Sequence, residues 1–321
     1  MAELTIIIVN WNGERFLSDC LSSIVENPPS VTYEIVVIDN ASGDGSVSWM
    51  KSDKAKEMLK GIAFRLIESE ENLGFGRANN VVIDQTDSPF VFLLNPDTKV
   101  KAGAIDRLIE SIESDDRIGG VAPKLLSEDG SLQPNAWTFP PTATKVAFEG
   151  LKLYRLLPSG FRGNWLLSRH WDYSTRRKVP VFSGAAMLMR REMINDVGAF
   201  DPAYHMFGED AEWCVRIGRK GWHLYFEPDA EVYHLGGQSA AQRWGVDGKV
   251  VKEEEGQQQF MRHCLTPFQM FKISLVRVFI TQIYRGPRWL LGRETNYLDT
   301  LLSIQQEALA TSFKRLISRR R

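Results

Sequence analysis

Short apolar runs alternate with amphipathic segments along the first third of the chain. The apolar runs predict four strands buried on both faces, at residues 4–9, 34–38, 64–67 and 90–94. Apolar residues at helical spacing follow the first of these strands, and residues 72–80 open a further helix. This order of elements predicts an α/β fold in which a mostly parallel, Rossmann-like sheet is flanked by helices.

The pattern continues less regularly through the middle of the chain. Leu108, Ile109 and Ile112 predict a helix. From residue 131 to 178, tryptophan, proline and arginine interrupt the pattern, and we interpret this stretch as an irregular insert. Such an insert either shapes a second substrate pocket or is a surface excursion. Further strands are predicted at residues 120–126, 181–189, 223–226 and 231–233.

The C-terminal segment is basic and rich in apolar residues. No acidic residue lies between Glu255 and Glu294, whereas basic and aromatic residues are interleaved there, and Arg319–Arg321 form a second basic cluster. This composition is typical of an amphipathic helix on a membrane surface, and we expect such a contact at residues 265–293. The alternative is a helix that packs on the rest of the chain or on a second copy in a homodimer.

Charge and cysteine content narrow the class of protein. Thirty-nine basic and 40 acidic residues give a formal net charge of -1, so we predict no nucleic-acid partner. The three cysteines are scattered, which indicates a reducing compartment without disulfides. Neither a signal peptide nor a membrane-spanning run is recognisable. We therefore predict a cytoplasmic protein, either free or attached to the cytoplasmic face of a membrane.

Polar residues follow each of the four strands predicted in the first third. They are Asn10 and Asn12, Asp39, Asn72, and Asn95 with Asp97. Because the carboxyl ends of parallel strands share one edge of a sheet, these side chains are expected to converge on a nucleotide site. Asp97 is able to hold a hard cation that binds phosphate, or it makes an Asx turn. Asp39 accepts from a base or ribose, or it caps a helix.

Small residues mark two places where a ligand is able to approach the backbone. Gly74 and Gly76 open the helix predicted after residue 72. Asn79 stands where a G-x-G-x-x-G motif has its third glycine, which argues against a dinucleotide fold. Gly184 lies in a small-residue segment that either approaches a sugar or packs in the core.

Three side chains outside the first third are candidates for chemistry. Asp210 precedes an apolar helical stripe and is either an N-cap or a general base. Its neighbour Glu209 would then orient the base or bind the acceptor. His234 follows a predicted strand and precedes two glycines, so it is either structural or within reach of a metal or a diphosphate.

Taken together, these motifs resemble those of inverting family 2 glycosyltransferases of the GT-A fold, within the rhamnosyltransferase-like branch. The resemblance covers roughly residues 4–239, and it depends on the order and spacing of six motifs. They are VNWN at 9–12, VIDNAS at 37–42, NLGFGRANN at 72–80, LNPD at 94–97, FGED at 207–210 and HLGG at 234–237.

The resemblance implies roles for the candidate residues. Asp39 would bind the base or ribose, and Asn10 and residues 72–79 would line the same pocket. Asp97 matches the last aspartate of the family's DxD metal motif, and Asn95 stands where the first aspartate usually does. Asp210 matches the catalytic base, and His234 a position that completes the metal or diphosphate site. The implied cofactor is a divalent cation, Mg²⁺ or Mn²⁺.

The resemblance also implies an activity and a domain layout. The expected reaction moves a sugar, L-rhamnose from dTDP-L-rhamnose, to a glycan or polyprenyl-linked acceptor in cell-surface polysaccharide synthesis. Residues 1–240 would form the catalytic domain, with a nucleotide-binding half at 1–125 and an acceptor-binding half at 126–240, and 241–321 a helical extension. Two alternatives stay open: a sugar nucleotidyltransferase, although residues 10–14 lack its basic glycine-rich loop, and a non-catalytic glycan- or nucleotide-binding module.

Overall fold

A computed structural model describes residues 2–235, 238–292 and 294–318, without the side chains of 238–247, 249 and 250. The motif residues Gly236 and Gly237, the tail residue Arg293 and the cluster Arg319–Arg321 lie outside the described residues. The chain divides into two compact units. Unit 1 comprises Met1–Trp137 and Tyr173–Gln242, and unit 2 comprises Thr138–Asp172 and Arg243–Arg321.

Twelve strands are found in the described residues, all in unit 1. In chain order they are β1 (Leu4–Asn10), β2 (Tyr33–Asp39), β3 (Ala63–Glu68), β4 (Phe90–Leu94), β5 (Thr98–Val100), β6 (Ile118–Leu126), β7 (Leu132–Gln133), β8 (Ala136–Trp137), β9 (Arg177–Lys178), β10 (Val181–Phe182), β11 (Ala186–Arg190) and β12 (His223–His234).

The helices belong to both units. In chain order they are α1 (Glu14–Glu26), α2 (Ser46–Lys51), α3 (Asp53–Met58), α4 (Phe75–Ile83), α5 (Ala104–Glu113), α6 (Ala143–Gly150), α7 (Ser159–Leu166), α8 (Arg191–Val197), α9 (Glu209–Arg219), α10 (Gln238–Cys264), α11 (Pro267–Leu290) and α12 (Asn296–Ser318).

The large sheet has the order β3-β2-β1-β4-β11-β6-β12-β5. The half formed by β3, β2, β1 and β4 is parallel, as the strand–helix alternation predicts. In the other half, β11 and β5 run antiparallel to their neighbours. Asn10 is the register partner of Asp39, so the two side chains lie at the same level of the sheet edge.

The core of unit 1 is made by the faces that the apolar pattern predicts. All five residues of β4 are buried, as expected of a central strand covered on both faces. Leu17, Leu21 and Ile24 of α1 pack in the same core. Each such side chain contributes about 1.5–3 kcal/mol of transfer free energy relative to exposure. This packing holds the loops at the strand ends on a rigid base.

Three predicted elements differ from the structure. The strand predicted at 181–189 is broken into β10 and β11, because residues 183–185 leave the ladder. The two strands predicted at 223–226 and 231–233 are one strand, β12, with an irregularity between Glu227 and Glu231. The insert at 131–178 is not irregular, since it contains α6, α7 and three short strands. Helices form there despite the loose apolar pattern because tertiary packing overrides weak periodicity.

Unit 2 is helical in its described residues. Its core contains Met261, Leu265 and Ile273, with Phe139 and Phe260 packed against them. Helix α11 begins with a capping box between Thr266 and Gln269. The predicted amphipathic helix is therefore present, as one of three long helices after residue 237. Within the described residues, none of the helices combines the length and the apolarity that crossing a bilayer requires.

Candidate functional site

The edge where β1 and β2 end carries a buried polar network. Asn10 Nδ2 donates to Asp39 Oδ1 over 2.8 Å, and the Ser42 backbone N–H donates to Asp39 Oδ2 over 2.9 Å. Both side chains are almost fully buried, and Asn10 Oδ1 has no hydrogen-bond partner among the described residues. Each carboxylate oxygen keeps a second lone pair, so Asp39 is fixed in place and still able to accept from a ligand.

The neighbouring loops are held by asparagine side chains. Asn12 Oδ1 accepts from the Gly43 N–H over 2.7 Å. Asn40 Oδ1 accepts from the Leu73 N–H over 2.8 Å, and Asn72 Oδ1 accepts from the Gly74 N–H over 3.0 Å. The loops after β1, β2 and β3 are therefore joined at one edge of the sheet, as the positions of their polar residues predict.

Gly74 requires the glycine that the sequence provides. Its φ is +80°, and an added Cβ would lie 2.0 Å from the carbonyl oxygen of His205. That carbonyl accepts from the Phe75 N–H at the start of α4. Gly76 instead packs against Phe200, and Asn79 is buried, with its amide donating to the Phe75 carbonyl over 2.9 Å. Protein atoms surround Gly76 and the Asn79 amide. Their predicted ligand contacts therefore stay predictions.

Asp97 lies after β4, where the sheet edge meets the end of β12. The side chain is buried, and the Asp97 carbonyl accepts from the Leu235 N–H over 2.9 Å. The Asn95 N–H donates to the Ala185 carbonyl over 2.9 Å, and the Asn95 carbonyl accepts from the Thr98 hydroxyl over 2.7 Å. These bonds fix the turn that carries the Asp97 carboxylate.

His234 faces Asp97 across this edge. Its Nε2 lies 3.4 Å from Asp97 Oδ1, and its Nδ1 lies 2.6 Å from Gln133 Oε1. An amide oxygen only accepts, so Nδ1 donates and, in the neutral ring, Nε2 carries the lone pair. Nε2 is buried and has no hydrogen-bond partner among the described residues.

This arrangement fits a divalent cation. A carboxylate and an imidazole whose outer nitrogen is already hydrogen-bonded are suitable metal ligands. In the described part of the chain, no group of three His, Cys, Asp or Glu side chains meets in a way that suits a metal. The pair therefore offers two protein ligands and leaves the remaining positions to water or phosphate oxygens, as Mg²⁺ sites commonly do.

Asp210 lies in the first turn of α9, next to Glu209 at its first residue. Asp210 Oδ2 accepts from the Gly184 N–H over 2.9 Å, and Oδ1 accepts from the Ala211 N–H over 2.7 Å. Burial raises the pKa of Asp210, although these amides act in the opposite direction. Burial and the adjacent Asp210 carboxylate raise the pKa of Glu209 to about 8. Perturbed carboxyl groups of this kind are common in active sites, and structural pairs also show them.

A short backbone segment links the two acidic sites. Gly184 donates to Asp210, and the next residue, Ala185, accepts from Asn95, which is two residues before Asp97. A Cβ at Gly184 would lie 3.1 Å from the Phe75 ring and 3.4 Å from Asp210 Cβ. The structure therefore brings Gly184, Asp210, the start of α4 and the turn before Asp97 to one region of unit 1.

Two open clefts in unit 1 are lined by other residues of the candidate site. One, of about 580 Å³, is lined by Arg15, Phe16, His234, Leu235 and parts of the turn at residues 127–131. The other, of about 510 Å³, is lined by Asn12, Glu14, Arg15, Gly43 and Asp44. Asp97 and Asp210 do not line either cleft. Arg15 lines both, and it is the one Lys or Arg among their lining residues.

Four residues of this region were not singled out from the sequence. Asn40 and Ser42 stand inside a recognised motif, but only the structure shows which loops they join. Gln133 orients His234 from β7, a two-residue strand within the segment 131–178 that the sequence predicts to be an irregular insert. No sequence motif distinguishes Gln133 there. Arg15 is an exposed residue of α1, and only the clefts distinguish it from other surface arginines.

Comparison with known proteins agrees with the fold and the motifs. Residues 5–198 match the profile of glycosyl transferase family 2. The N-acetylglucosaminyl-diphospho-decaprenol L-rhamnosyltransferase of Mycobacterium tuberculosis is 31% identical over 234 residues, covering 69% of this chain and 71% of that protein. The low-salt glycan biosynthesis hexosyltransferase Agl10 of Haloferax volcanii is 24% identical, covering 69% of this chain and 64% of that protein.

Solved glycosyltransferase structures share the fold. The mannosyltransferase PcManGT of Pyrobaculum calidifontis, solved with GDP-Man and Mn²⁺, has a TM-score of 0.55 at 17% identity, covering 98% of this chain and 87% of that one. GalNAc-T7, solved with UDP, GalNAc and Mn²⁺, has a TM-score of 0.52 at 20% identity, and the match covers 73% of this chain but only 44% of the GalNAc-T7 chain. The predicted GT-A fold and glycosyltransferase class are confirmed, and the chain belongs to glycosyl transferase family 2.

Proposed function

We propose that this chain transfers one sugar, with inversion, from a nucleotide-sugar to a hydroxyl group of a lipid-linked glycan. The observation that carries the proposal is the hydrogen-bonded link from Asp210 through Gly184 and Ala185 to Asn95, two residues before Asp97. Inverting transfer needs a leaving-group site on one side of the anomeric carbon and a base on the other. The link joins one candidate for each role.

The donor nucleoside would bind at the end of β1 and β2. Asp39, held by Asn10 and Ser42, is oriented to accept from a base N–H or a ribose hydroxyl. Asn10 Oδ1, which is buried and has no hydrogen-bond partner among the described residues, supplies a further acceptor. Asn12, Asn72 and Gly74 hold the loops around this position.

The diphosphate would bind between this edge and His234. Asp97 and His234 would hold Mg²⁺ or Mn²⁺ there, and the bound cation supplies the Lewis acid that stabilises the charge of the leaving diphosphate. The two solved neighbours described above contain Mn²⁺, which supports this cofactor. Gln133 orients the imidazole, and Arg15, which lines both clefts, would contact a phosphate oxygen.

The acceptor hydroxyl would lose its proton to Asp210. The Gly184 and Ala211 N–H groups fix the carboxylate orientation, while one lone pair on each oxygen stays available for the proton. The acceptor oxygen then bonds to the anomeric carbon as the bond from that carbon to the diphosphate oxygen breaks. Glu209, with a pKa of about 8, would be largely protonated at neutral pH and able to donate to the acceptor.

The relative from Mycobacterium tuberculosis supports the substrate class. Its name gives L-rhamnose as the transferred sugar and a decaprenol diphosphate carrying N-acetylglucosamine as the acceptor. We therefore propose dTDP-L-rhamnose as donor and a polyprenyl-diphosphate-linked sugar as acceptor, in cell-envelope polysaccharide synthesis. Three buried free cysteines support the cytoplasm as the compartment.

The test is a transfer assay with the purified 321-residue chain and Mn²⁺. Candidate nucleotide-sugars are first ranked by thermal stabilisation, and then incubated with a short-chain polyprenyl-diphosphate N-acetylglucosamine. We expect dTDP-L-rhamnose to stabilise the protein most and a product of opposite anomeric configuration to form. A retained anomeric configuration, or cleavage of a nucleoside triphosphate with sugar phosphate instead, would refute the proposal.

A further inference from the structure

Helix α11 in unit 2 presents a continuous apolar stripe to solvent. Large exposed side chains recur along it at intervals of seven and four residues, which places them on one face of the helix. They are Phe268, Leu275, Phe279, Ile283 and Leu290. Phe279, in the middle of the stripe, is 60% exposed. Single exposed apolar residues are ordinary, but a stripe of five along one helix marks an interaction surface.

The rest of unit 2 fixes the orientation of this stripe. Met270, Ile273 and Thr281 lie on the other side of α11 and are buried, and the Thr281 hydroxyl donates to Gln305 of α12 over 2.8 Å. Ile280 lies against Gly150 of α6. Helix α11 therefore uses its inner side to pack within unit 2, and the exposed stripe is a separate face of the same helix.

Exposed apolar side chains also surround the C-terminal end of α11, beside the last residue of the stripe. Trp289, Leu290 and Leu291 are 64%, 76% and 69% exposed, respectively. Three consecutive large apolar residues in water are costly, at about 1.5–3 kcal/mol for each side chain that burial would cover. Tryptophan at such an end is characteristic of the boundary between water and lipid headgroups.

The charges around the stripe favour an anionic partner. Arg277 pairs with Glu254 of α10 over 2.9 Å, and Arg285 pairs with Asp299 of α12. Lys272 lies on the stripe itself, with its Nζ 4.5 Å from the centre of the Phe268 ring, and it has no ion-pair partner among the described residues. Helix α11 contains no acidic residue. Two such faces brought together in a homodimer would bring two lysines together without a carboxylate from α11, whereas an anionic surface would attract the lysine.

We propose that the exposed face of α11, from Phe268 to Leu290, docks on an anionic lipid bilayer and lies in its interface. Apolar side chains along one face enter the headgroup region, and Lys272 on the same face adds electrostatic attraction. This inference goes beyond the proposed function: it names the surface on which the chain would meet a lipid-linked acceptor, and it does not depend on which sugar is transferred.

Vesicle co-sedimentation tests the proposal without any substrate. The full chain is mixed with vesicles of phosphatidylcholine alone or of equal parts phosphatidylcholine and phosphatidylglycerol, at low and at high salt. We expect binding to the anionic vesicles, weakened by salt, and a blue shift of tryptophan fluorescence. Equal or absent binding to the two kinds of vesicle would overturn the proposal. Because no donor is present, a failed transfer assay and a failed binding assay are separate results.

Matched variants identify the face. The double variant Phe279→Ser/Leu290→Ser should lose most vesicle binding, and Lys272→Glu should lower the partition coefficient about fivefold or more. Phe161→Ser is the control, because Phe161 of α7 is 54% exposed and lies off this helix. If only the control variant loses binding, the membrane surface lies elsewhere and the proposal is overturned. If sedimentation velocity shows a dimer that the double variant dissociates, a second copy of the chain occupies this face, and the proposal is also overturned. Circular dichroism checks that each variant is folded.

Discussion

Gly184 donates its backbone N–H to Asp210 Oδ2 over 2.9 Å. The bond joins the break between β10 and β11 to the first turn of α9, and it fixes one oxygen of a carboxylate whose pKa burial raises. The same break accepts the Asn95 N–H through Ala185. The position of the candidate base is therefore set by the strand that also holds the turn before Asp97.

Asp210→Asn should lower kcat by about 10²–10⁴-fold while leaving the Kd for the donor within a few-fold, because the amide cannot take the acceptor proton. The raised pKa of Asp210 also places the acid limb of the kcat/KM profile above the ordinary aspartate range near 4. Steady-state kinetics and donor titration measure both. The control is Glu209→Gln, which we expect to keep most activity at pH 7. If Asp210→Asn transfers sugar at the wild-type rate, the base is another residue.

Glu209 makes the stability of unit 1 depend on pH. Its pKa rises from an ordinary 4.5 to about 8 on folding, so its contribution is fully present below pH 4.5 and is lost as pH rises toward 8. A difference of one pKa unit between the folded and the unfolded chain corresponds to about 1.4 kcal/mol of unfolding free energy. Glu209→Gln should therefore be a few kcal/mol more stable than wild type at pH 8.5 and similar to it at pH 5. Urea unfolding at the two pH values measures this, and equal differences at both would contradict it.

Gln133→Leu should weaken divalent-metal binding about 10- to 100-fold, because His234 would lose the acceptor that orients its Nδ1–H. Titration of Mn²⁺ by electron paramagnetic resonance, with nucleoside diphosphate present, measures the affinity directly. Gln133→Glu is the matched variant, since a carboxylate also accepts from Nδ1. An unchanged Mn²⁺ affinity in Gln133→Leu would contradict the role of Gln133 in orienting a metal-binding His234, and His234→Ala would then test the ligand itself.

Arg15→Gln should weaken binding of the nucleoside diphosphate about tenfold or more and leave the free nucleoside unaffected, because a charge-assisted hydrogen bond to phosphate is lost. Isothermal titration with both ligands gives the comparison. Arg107→Gln serves as the control, since Arg107 is an exposed arginine paired with Glu110 on α5. Parallel losses for nucleoside and diphosphate would instead indicate a change in the fold near α1.

Gly74→Ala should destabilise the protein by more than the roughly 1–3 kcal/mol that a sparsely populated backbone conformation costs, because its φ of +80° and ψ of -179° are essentially restricted to glycine and its Cβ also meets the His205 carbonyl. Gly61→Ala is the comparison without a close contact: Gly61 also has a positive φ, of +85°, and nothing lies within 4 Å of the added Cβ. Thermal unfolding of the two variants measures the difference. Equal destabilisation would show that the loop after β3 moves away from His205 at little cost.

The parallel half of the sheet was predictable because its signal is local. Five apolar residues in β4, followed by Asn95 and Asp97, identify both a buried strand and the functional edge at which it ends. The approach of Asp210 to that edge was predictable only through the family resemblance, since 113 residues separate it from Asp97 in the sequence.

The other elements depend on tertiary packing, which the spacing of apolar residues along the sequence does not reveal. Helices α6 and α7 form where proline and tryptophan obscure the pattern, and β5 is a three-residue strand that exists only because β12 pairs with it. Gln133 contacts His234 across 101 residues. The roles assigned to the site residues, the domain halves, the donor sugar and a homodimer stay predictions, each awaiting its own measurement.

The limited space around Gly184 restricts which residues related enzymes are able to have at this position. A Cβ at residue 184 would lie 3.1 Å from the Phe75 ring, which is closer than most Cβ contacts, and at van der Waals distance from Asp210 Cβ, so side chains larger than glycine are disfavoured there. Loops that choose an acceptor are able to drift around it, whereas the glycine is expected to persist through changes of substrate. In an alignment of divergent family members, a glycine at this position would help to locate the candidate base, even where the motif around Asp210 has changed.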